Sequence, residues 1–293
     1  MPANKNSSKT ILVAGATGQQ GGAVLRQLRE HGFPVRALTR DPDTTKARAF
    51  TGHGVEVLRG DLDDTPTLAR ALDGVYGAYS VQNWHQSGLD GEVRQGINLA
   101  NAAKRSGIRH FVYSSVASAD QRTGIPHFDS KFRIEEHVRG TGMPHTIVRP
   151  VFFMENWLGM RQAIDGGTLS LPLSPTTKLQ MIAVEDIGKV VAIALERLGK
   201  WQNRTFELAG DELSMTDLAQ IFSRVAGREV RYTQVPWDEF EKQAGKEYTQ
   251  MYRWFENVGY HVDIGAVRQE CPSLIGFERW MNSNWHASTR TAG

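Results

Sequence analysis

The chain has 293 residues, of which 40% are hydrophobic, 23% charged and 9% aromatic, an ordinary profile for a globular protein. Its length predicts one large domain with a smaller appendage, because it is long for one core and short for two full domains. The net charge of only +2, from interspersed basic and acidic side chains, gives no reason to expect direct binding of nucleic acid or of an anionic membrane.

Other features exclude further classes of protein. The single cysteine, Cys271, cannot form an internal disulfide, which suits a reducing cytoplasm. No apolar run approaches the roughly 18 residues that a membrane span needs, and the polar start of the chain is unlike a secretory signal. The nine histidines include no pair at metal-binding spacing. We therefore expect a cytoplasmic protein that binds neither a membrane nor a metal.

Short apolar runs and amphipathic stretches alternate through the first half of the chain. The predicted strands cover 10–16, 34–40, 55–61, 77–82, 110–115 and 145–150, and the predicted helices cover 22–32, 46–50, 65–74, 89–106 and 127–140. This alternation predicts an α/β fold, a Rossmann-type doubly wound parallel sheet with helices on both faces. Ligands of such sheets bind at the carboxyl ends of the strands.

The regular alternation of predicted strands and helices ends after residue 150. We expect a helix at 153–164, a loop at 165–178, a strand and a helix within 179–198, a strand at 204–210, and helices at 214–227 and about 237–259. The predicted NAD(P)-binding domain therefore comprises residues 1–152 with returning segments of about 179–210. Residues 153–178 and 211–293 are predicted to form a smaller C-terminal α/β lobe that covers the cleft.

A glycine-rich loop, AGATGQQGG at 14–22, follows the first strand and opens a helix. Gly15 permits a tight turn, Gly18 lets the backbone approach a pyrophosphate, and Gly21 lets helix and strand pack closely. The free N–H groups and dipole of the helix N-terminus favour negative charge there. The strand–loop–helix context predicts a dinucleotide phosphate site. It also includes Thr17, Gln19 and Gln20.

The end of the second strand indicates which dinucleotide binds. Proteins that bind NAD usually place Asp or Glu about 20 residues past the glycine loop, to hold ribose hydroxyls. Here Thr39 and Arg40 occupy that place, and Arg40 offers paired donors and a full charge to a 2′-phosphate. We predict NADP(H) in preference to NAD(H), unless Asp41 faces the ribose. Asp61 and Leu62 are expected beside the adenine, with a strand-end cap as the alternative role for Asp61.

Five segments together, GATGQQGG, VRALTRDP, GDLDD, YSS and HFDSK, resemble the NmrA-like family, an atypical branch of the short-chain dehydrogenase/reductase superfamily. The resemblance extends to FFMENW at 152–157 and the helical C-terminal part. It implies that Lys131 holds the nicotinamide ribose. It also implies that two segments line the nicotinamide end, and these contribute Gln82, Asn83, Trp84, Phe153 and Asn156.

The superfamily's proton relay combines a Ser after the fifth strand with Tyr-x-x-x-Lys. In this chain the Ser is Ser114 or Ser115 and the Lys is Lys131, but His127 stands where the Tyr is expected. Neutral imidazole is a poor proton donor. Its protonated form would stand near Lys131 and the oxidised nicotinamide, and like charges disfavour it. We expect His127 to be a positioning or packing residue. The alternative is a role as proton donor.

Several neighbouring side chains have two open interpretations. Trp84 and His85 lie in a stretch, 80–88, that is predicted to be a loop, and they either cover the nicotinamide or simply pack. Arg94 either reaches the cofactor or is solvated. The aromatic group around Trp157 either walls a pocket or belongs to the core.

The missing Tyr bears directly on function. It favours a redox-sensing regulator that binds NADP(H), has little or no dehydrogenase activity and acts through a partner protein, as the family resemblance implies. Such a sensor needs a different partner affinity in each ligand state. The alternative is an NADPH-dependent reductase of a quinone or similar aromatic acceptor, because hydride transfer to a quinone needs no precisely placed protein acid.

Overall fold

The computed structural model describes residues 5–285, which divide into two compact units. The first unit comprises the chain up to Arg149 together with Ile187–Phe206. The second comprises Pro150–Asp186 and the chain from Glu207 onward. No helix in the described part of the chain is both long and apolar enough to cross a bilayer.

The first half of the chain forms six strands and five helices. The strands are β1 (Ile11–Ala14), β2 (Val35–Thr39), β3 (Glu56–Arg59), β4 (Gly77–Ser80), β5 (His110–Ser114) and β6 (His145–Pro150). The helices are α1 (Gln19–Glu30), α2 (Thr45–Thr51), α3 (Thr65–Ala71), α4 (Trp84–Arg105) and α5 (Pro126–Gly140). A short 3₁₀ helix (Ala119–Gln121) precedes α5.

These strands and β10 (Arg204–Leu208) form a seven-stranded sheet in the order β10-β6-β5-β4-β1-β2-β3. Neighbours from β3 to β6 pair in parallel. β1 and β5 are buried along their whole length, because helices cover both faces. The Rossmann-type prediction is confirmed. The strand order reverses between β1 and β4, so the ligand-binding crevice of this topology lies at their carboxyl ends.

Helix α4 begins earlier than predicted. Residues 84–88 are not a loop, because Asn83 caps the helix by accepting a hydrogen bond from the His85 N–H. Gly88 then interrupts the helix with non-helical backbone angles (φ 71°, ψ 169°). The stretch from Trp84 to Gly88 has no apolar periodicity, and this hid its helical start.

Helices α4 and α5 pack closely. A Cβ atom on Gly96 would lie 2.7 Å from Cδ1 of Ile134, so a larger residue at this crossing would force Ile134 to shift. Both residues belong to buried stripes of their helices. This contact fixes the register between the two helices, and it therefore fixes the side chains one turn earlier on each.

The second unit contains two small sheets and several helices. One sheet has the order β11-β9-β7, and the other pairs β12 with β8. The strands are β7 (Phe152–Phe153), β8 (Thr168–Leu171), β9 (Lys178–Ile182), β11 (Asp211–Ser214) and β12 (Arg231–Gln234). The helices from α6 onward in the chain are α6 (Arg161–Asp165), α7 (Val184–Glu196), α8 (Leu198–Trp201), α9 (Met215–Ala226), α10 (Trp237–Ala244), α11 (Lys246–Asn257), α12 (Ile264–Glu270) and α13 (Phe277–Asn284).

Three secondary-structure predictions for this part of the chain were wrong. Residues 153–164 form a 3₁₀ segment (Met154–Met160) followed by the short α6. The predicted loop at 165–178 contains β8. The predicted helix at 237–259 is divided by Gly245, whose φ of 84° suits glycine. β9 belongs to the three-stranded sheet, whereas the sequence assigns it to a segment that returns to the first domain.

The aromatic group after β6 is part of the core of the second unit. Trp157 is fully buried, donates its indole N–H to Sδ of Met181, and contacts the rings of Phe152 and Phe222. Core packing therefore accounts for Trp157.

Candidate dinucleotide site

The glycine loop connects β1 to α1 at the point where the strand order reverses. Gly15 has a φ of +66°, and the Gly18 N–H donates to the Gly15 carbonyl over 2.9 Å. A Cβ atom on Gly21 would lie 2.1 Å from that carbonyl oxygen, which no rearrangement of side chains can relieve. The first turn of α1 has no side-chain cap and no acidic residue. Its N–H groups therefore suit an anionic ligand.

Three exposed basic side chains lie around the ends of β2 and β3. Arg40 donates to Oε1 of Gln86 over 3.1 Å, and Arg59 donates to the Arg40 carbonyl over 3.4 Å. Lys46, at the start of α2, lies 3.5 Å from the carbonyl of Thr17 in the glycine loop. Sequence reasoning found only Arg40. The pairing of β3 with β2 places Arg59 beside Thr39, and α2 places Lys46 near the glycine loop.

Asp41 forms hydrogen bonds within the turn that follows β2. Its Oδ1 accepts from the Asp43 N–H over 2.9 Å, and its backbone N–H and carbonyl both bond to the Thr39 hydroxyl. These bonds hold the carboxylate within the turn that follows β2. At this strand end the exposed Arg40 side chain therefore extends to Gln86, whereas the Asp41 carboxylate is held in the turn.

The end of β3 also forms local contacts. Asp61 accepts from the Asp63 N–H through its carboxylate over 2.9 Å, and Leu62 packs against the hydrophobic core. Asp63 in turn pairs with Arg94, whose side chain is 58% exposed. These bonds raise the pKa of Arg94 above its usual value, chiefly through the hydrogen bond to Asp63. The contacts of Asp61 are those of a strand-end cap, and Arg94 lies on a solvated helix face.

Two residues that follow β4 have defined partners. Gln82 is buried, and its amide N–H donates to the Ser80 hydroxyl over 3.0 Å. Its Oε1 is buried and accepts no hydrogen bond within residues 5–285. Asn83 has its side-chain oxygen occupied by the cap of α4.

The two serines at the end of β5 differ in their surroundings. Ser114 donates to Oε1 of Gln20 over 2.7 Å, and Tyr79 donates to the same oxygen over 3.2 Å. Burial raises the pKa of Tyr79 well above its usual value. Ser115 follows in extended chain, so its side chain lies on the opposite face of the sheet, which it shares with Tyr113.

Buried polar atoms without a partner mark the carboxyl ends of β4 and β5. Among the described residues they include Oε1 of Gln82, the hydroxyl of Tyr113 and Oγ of Ser115. A buried polar atom that forms no hydrogen bond is costly, so such atoms near a switch point indicate a polar ligand. With the uncapped α1 and the glycine cradle, they fit a nicotinamide dinucleotide.

Lys131 lies on α5 in a buried ion pair. Its Nζ is 2.8 Å from Oε1 of Glu92 on α4, and Ser130 donates to the other oxygen of the same carboxylate. The Glu92 side chain is fully buried, and that of Lys131 is 13% exposed. Sequence reasoning missed Glu92. The available signal was an acidic residue on the stripe of α4 that also carries Val93, Gly96 and Leu99.

His127, in the first turn of α5, belongs to a stack of rings. Its imidazole lies nearly parallel to the Trp84 indole, with ring centroids 5.3 Å apart and planes at 14°. Trp84 also stacks on His85, with centroids 3.8 Å apart. The Phe128 ring meets His127 edge-on at 5.0 Å. The structure thus places His127 beside the pair Trp84 and His85, and the packing role of His127 has a geometric basis.

A second buried ion network holds the loop between β5 and α5. Arg149 forms two hydrogen bonds with Glu135, of 2.9 and 2.7 Å, and a third of 2.8 Å with Asp120. Burial by itself would lower the pKa of Arg149, but these carboxylates outweigh it and raise the pKa. The loop includes Ser118 and Arg122, which have positive φ angles. Asp120 in the 3₁₀ turn is thereby anchored.

The remaining predicted residues lie in the second unit. Phe153 pairs with Ile182 between β7 and β9, and Asn156 is exposed in the 3₁₀ segment. In residues 5–285 no group of three or more His, Cys, Asp and Glu side chains is arranged to hold a metal ion.

Comparison with known proteins gives close relatives. The chain is 35% identical over 231 residues to the NAD(P)H azoreductase of Xenophilus azovorans, covering 78% of each chain. It is 32% identical over 230 residues to the (4-alkanoyl-5-oxo-2,5-dihydrofuran-3-yl)methyl phosphate reductase of Streptomyces griseus, again covering 78% of each.

Solved structures agree on the fold. The crystal structure of NmrA, a negative transcriptional regulator in complex with NADP, superposes with a TM-score of 0.82 at 24% identity and covers 98% of both chains. Residues 7–278 match the model of the NmrA-like family. The chain therefore belongs to the NmrA-like family.

Proposed function

We propose that this protein binds NADP(H) and transfers hydride from it to a planar, conjugated acceptor. The observation that supports binding most directly is the glycine cradle at the switch point of the sheet. There Gly21 admits no side chain and the first turn of α1 is uncapped. The pyrophosphate would be held by the backbone N–H groups of this loop and of Gln19 and Gln20.

The preference for NADP(H) is supported by charge. Arg40 is exposed at the end of β2, Arg59 bonds to its carbonyl, and Lys46 reaches the glycine loop. Asp41 is engaged in its own turn and so competes poorly for ribose hydroxyls. A guanidinium offers a 2′-phosphate paired, charge-assisted hydrogen bonds. The carboxylate that NAD-binding proteins usually place here would repel that phosphate.

At the other end of the site, Lys131 would hold the nicotinamide ribose, with Gln82 and Ser115 offering further polar groups. When bound, the reduced dinucleotide supplies a hydride to the acceptor. The proton that completes the reduction comes from water, because His127 is stacked on Trp84 and Lys131 is neutralised by Glu92. An azo or quinone acceptor suits this arrangement, since its reduced form can take a proton from solvent.

Support for a catalytic function comes from the relatives. The missing Tyr by itself favours a regulator, whereas two relatives above 30% identity are both named reductases. Those names describe the relatives, and they support the same reaction class here. A redox-responsive regulator is the second candidate, favoured by the ring stack of His127, Trp84 and His85, which fills the position of the missing acid.

The first experiment is calorimetric titration with NADP⁺, NADPH, NAD⁺ and NADH at one pH and salt concentration. NADPH oxidation is then followed by absorbance with an azo dye and with a quinone as acceptors. We expect tighter binding of the phosphorylated pair, and oxidation faster than NADPH and acceptor achieve alone. Tight binding of a dinucleotide without oxidation of NADPH would favour the regulator. Absence of binding by all four dinucleotides would remove both functions.

A further inference from the structure

The ion pair between Glu92 and Lys131 bears on which redox form of the cofactor binds. We infer that Glu92 is a positioning residue that neutralises Lys131, so that the site carries no charge penalty against the oxidised nicotinamide. This inference rests on the proposed function, in which Lys131 holds the nicotinamide ribose. It concerns selectivity between NADP⁺ and NADPH, which the binding of either form alone does not reveal.

The geometry leaves Glu92 little freedom. Both of its carboxylate oxygens have partners on α5, one from Lys131 at 2.8 Å and the other from the Ser130 hydroxyl. The side chain is fully buried. An ionised carboxylate in such a place is stable only with partners of this kind, so the ammonium of Lys131 and the carboxylate hold each other in place.

The helix crossing makes this pairing rigid. Gly96 lies one turn after Glu92, and Ile134 one turn after Ser130. A Cβ atom on Gly96 would lie 2.7–2.9 Å from three carbon atoms of Ile134. The contact fixes the separation and register of α4 and α5 immediately beside the ion pair. Glu92 and Lys131 therefore meet because of helix packing and not through a flexible surface encounter.

The consequence follows from charge. The nicotinamide ring is positive in NADP⁺ and neutral in NADPH. An unpaired ammonium on the adjacent ribose would repel only the oxidised form, and burial strengthens that repulsion because the local dielectric constant is low. With Glu92 in place the pair is neutral, and the two redox forms meet the same net charge. Removing the carboxylate charge should therefore weaken the binding of NADP⁺ more than the binding of NADPH.

The test compares Glu92→Gln with Asp90→Asn. The control removes one negative charge from the same helix, at a side chain that is 95% exposed and only 3.8 Å from Arg133. Dissociation constants for NADP⁺ and NADPH are measured by calorimetry for both variants and the wild type. We expect Glu92→Gln to raise the ratio of the NADP⁺ constant to the NADPH constant on the order of fivefold. Asp90→Asn should leave that ratio unchanged.

A double variant identifies the origin of the effect. Glu92→Gln combined with Lys131→Met removes both charges, so the ratio should return to the wild-type value even if both constants rise. An equal loss of affinity for both redox forms in Glu92→Gln would mean a purely structural role and would overturn the inference. So would an unchanged ratio. If the wild type binds neither form, the proposed function is wrong, and the inference that rests on it is wrong as well.

If Glu92→Gln does not fold, a crystal structure of the wild type with NADP⁺ decides. We expect Nζ of Lys131 to remain within hydrogen-bonding distance of Oε1 of Glu92 while it contacts the ribose. A lysine that leaves Glu92 to reach the cofactor would overturn the inference, because its charge would no longer be neutralised.

Discussion

A buried histidine on β5 links the fold to pH. His110 is fully buried, and its Nε2 lies 2.8 Å from the hydroxyl of Thr146. That hydroxyl already donates to the carbonyl of Trp201, so it accepts from His110, which assigns the proton to Nε2. Burial, with a smaller contribution from His145, lowers the pKa of His110 to about 4.

We expect acid to destabilise the protein through this residue. Between the ordinary pKa of about 6.5 and about 4, only the unfolded chain binds the proton, so the free energy of unfolding falls as the pH falls. The loss should reach about 2 kcal/mol at pH 5. Urea unfolding of the wild type and of His110→Gln at pH 7 and pH 5 checks this, with His53→Gln as the matched variant at an exposed histidine. An equal pH dependence in His110→Gln would contradict it.

Gly21 is the glycine that the cradle requires most strictly. A Cβ atom there would lie 2.1 Å and 2.4 Å from the oxygen and carbon of Gly15, so Gly21→Ala must displace backbone. We expect it to cost on the order of 1–3 kcal/mol of stability and to abolish detectable dinucleotide binding. Gly140→Ala is the control, because nothing lies within 4 Å of a Cβ atom at that helix position. Urea unfolding and calorimetry measure the two effects.

At the scale of elements, the crossing of α4 and α5 determines how Glu92 and Lys131 meet in the first unit. Gly96→Ala should cost about 1–3 kcal/mol of the free energy of unfolding, because its Cβ would meet the fully buried side chain of Ile134. The cost should be smaller in an Ile134→Ala background, where the opposing atoms are gone. A double-mutant cycle by urea unfolding measures the coupling. Additive costs would mean that the two side chains do not oppose each other.

The elements show why some of the site was predictable. Strand–loop–helix context identifies the glycine loop, and strand-end position identifies Arg40, since both signals are local. Glu92 was missed because its partner Lys131 is 39 residues away, and only the packing of α4 on α5 brings them together. Lys46 was missed because its contact with Thr17 also joins residues that are far apart in the sequence. Gly245 divides a continuous apolar pattern without changing its spacing, so periodicity alone predicted one helix there.

At the scale of the whole molecule, the two units are not consecutive in sequence. The first unit needs Ile187–Phe206, which includes most of α7 and part of β10. In that segment Gly188 packs against the backbone of Ala23, where a Cβ would lie 2.7 Å from the carbonyl oxygen, and Trp201 is fully buried. The sequence prediction places the returning segment at about 179–210, whereas the first compact unit takes up Ile187–Phe206.

A fragment that ends at Arg149 should therefore fail to fold. It lacks the helix that covers α1 and the strand that borders β6, and both losses expose buried apolar surface. Circular dichroism and size-exclusion chromatography of residues 1–149 should report an unfolded or aggregated chain. A cooperative thermal transition in that fragment would mean that the first unit is complete without its returning segment.

Ligand binding should raise the stability of the whole chain, and this offers a test of Arg40. A ligand that binds only the folded protein adds about 2.7 kcal/mol to the free energy of unfolding at 100 times its dissociation constant. Arg40→Ala should reduce the stabilisation by NADP⁺, corresponding to a loss of affinity of about tenfold or more, because it removes charge-assisted bonds to the 2′-phosphate. NAD⁺ lacks that phosphate, so its effect should barely change. Thermal unfolding with each dinucleotide measures both, and Arg70→Ala, at an exposed position on α3, is the matched control. If Arg40→Ala weakened NAD⁺ and NADP⁺ alike, Arg40 would be supporting the loop after β2 instead of reading the phosphate, and the preference for NADP(H) would have to rest on Lys46 and Arg59.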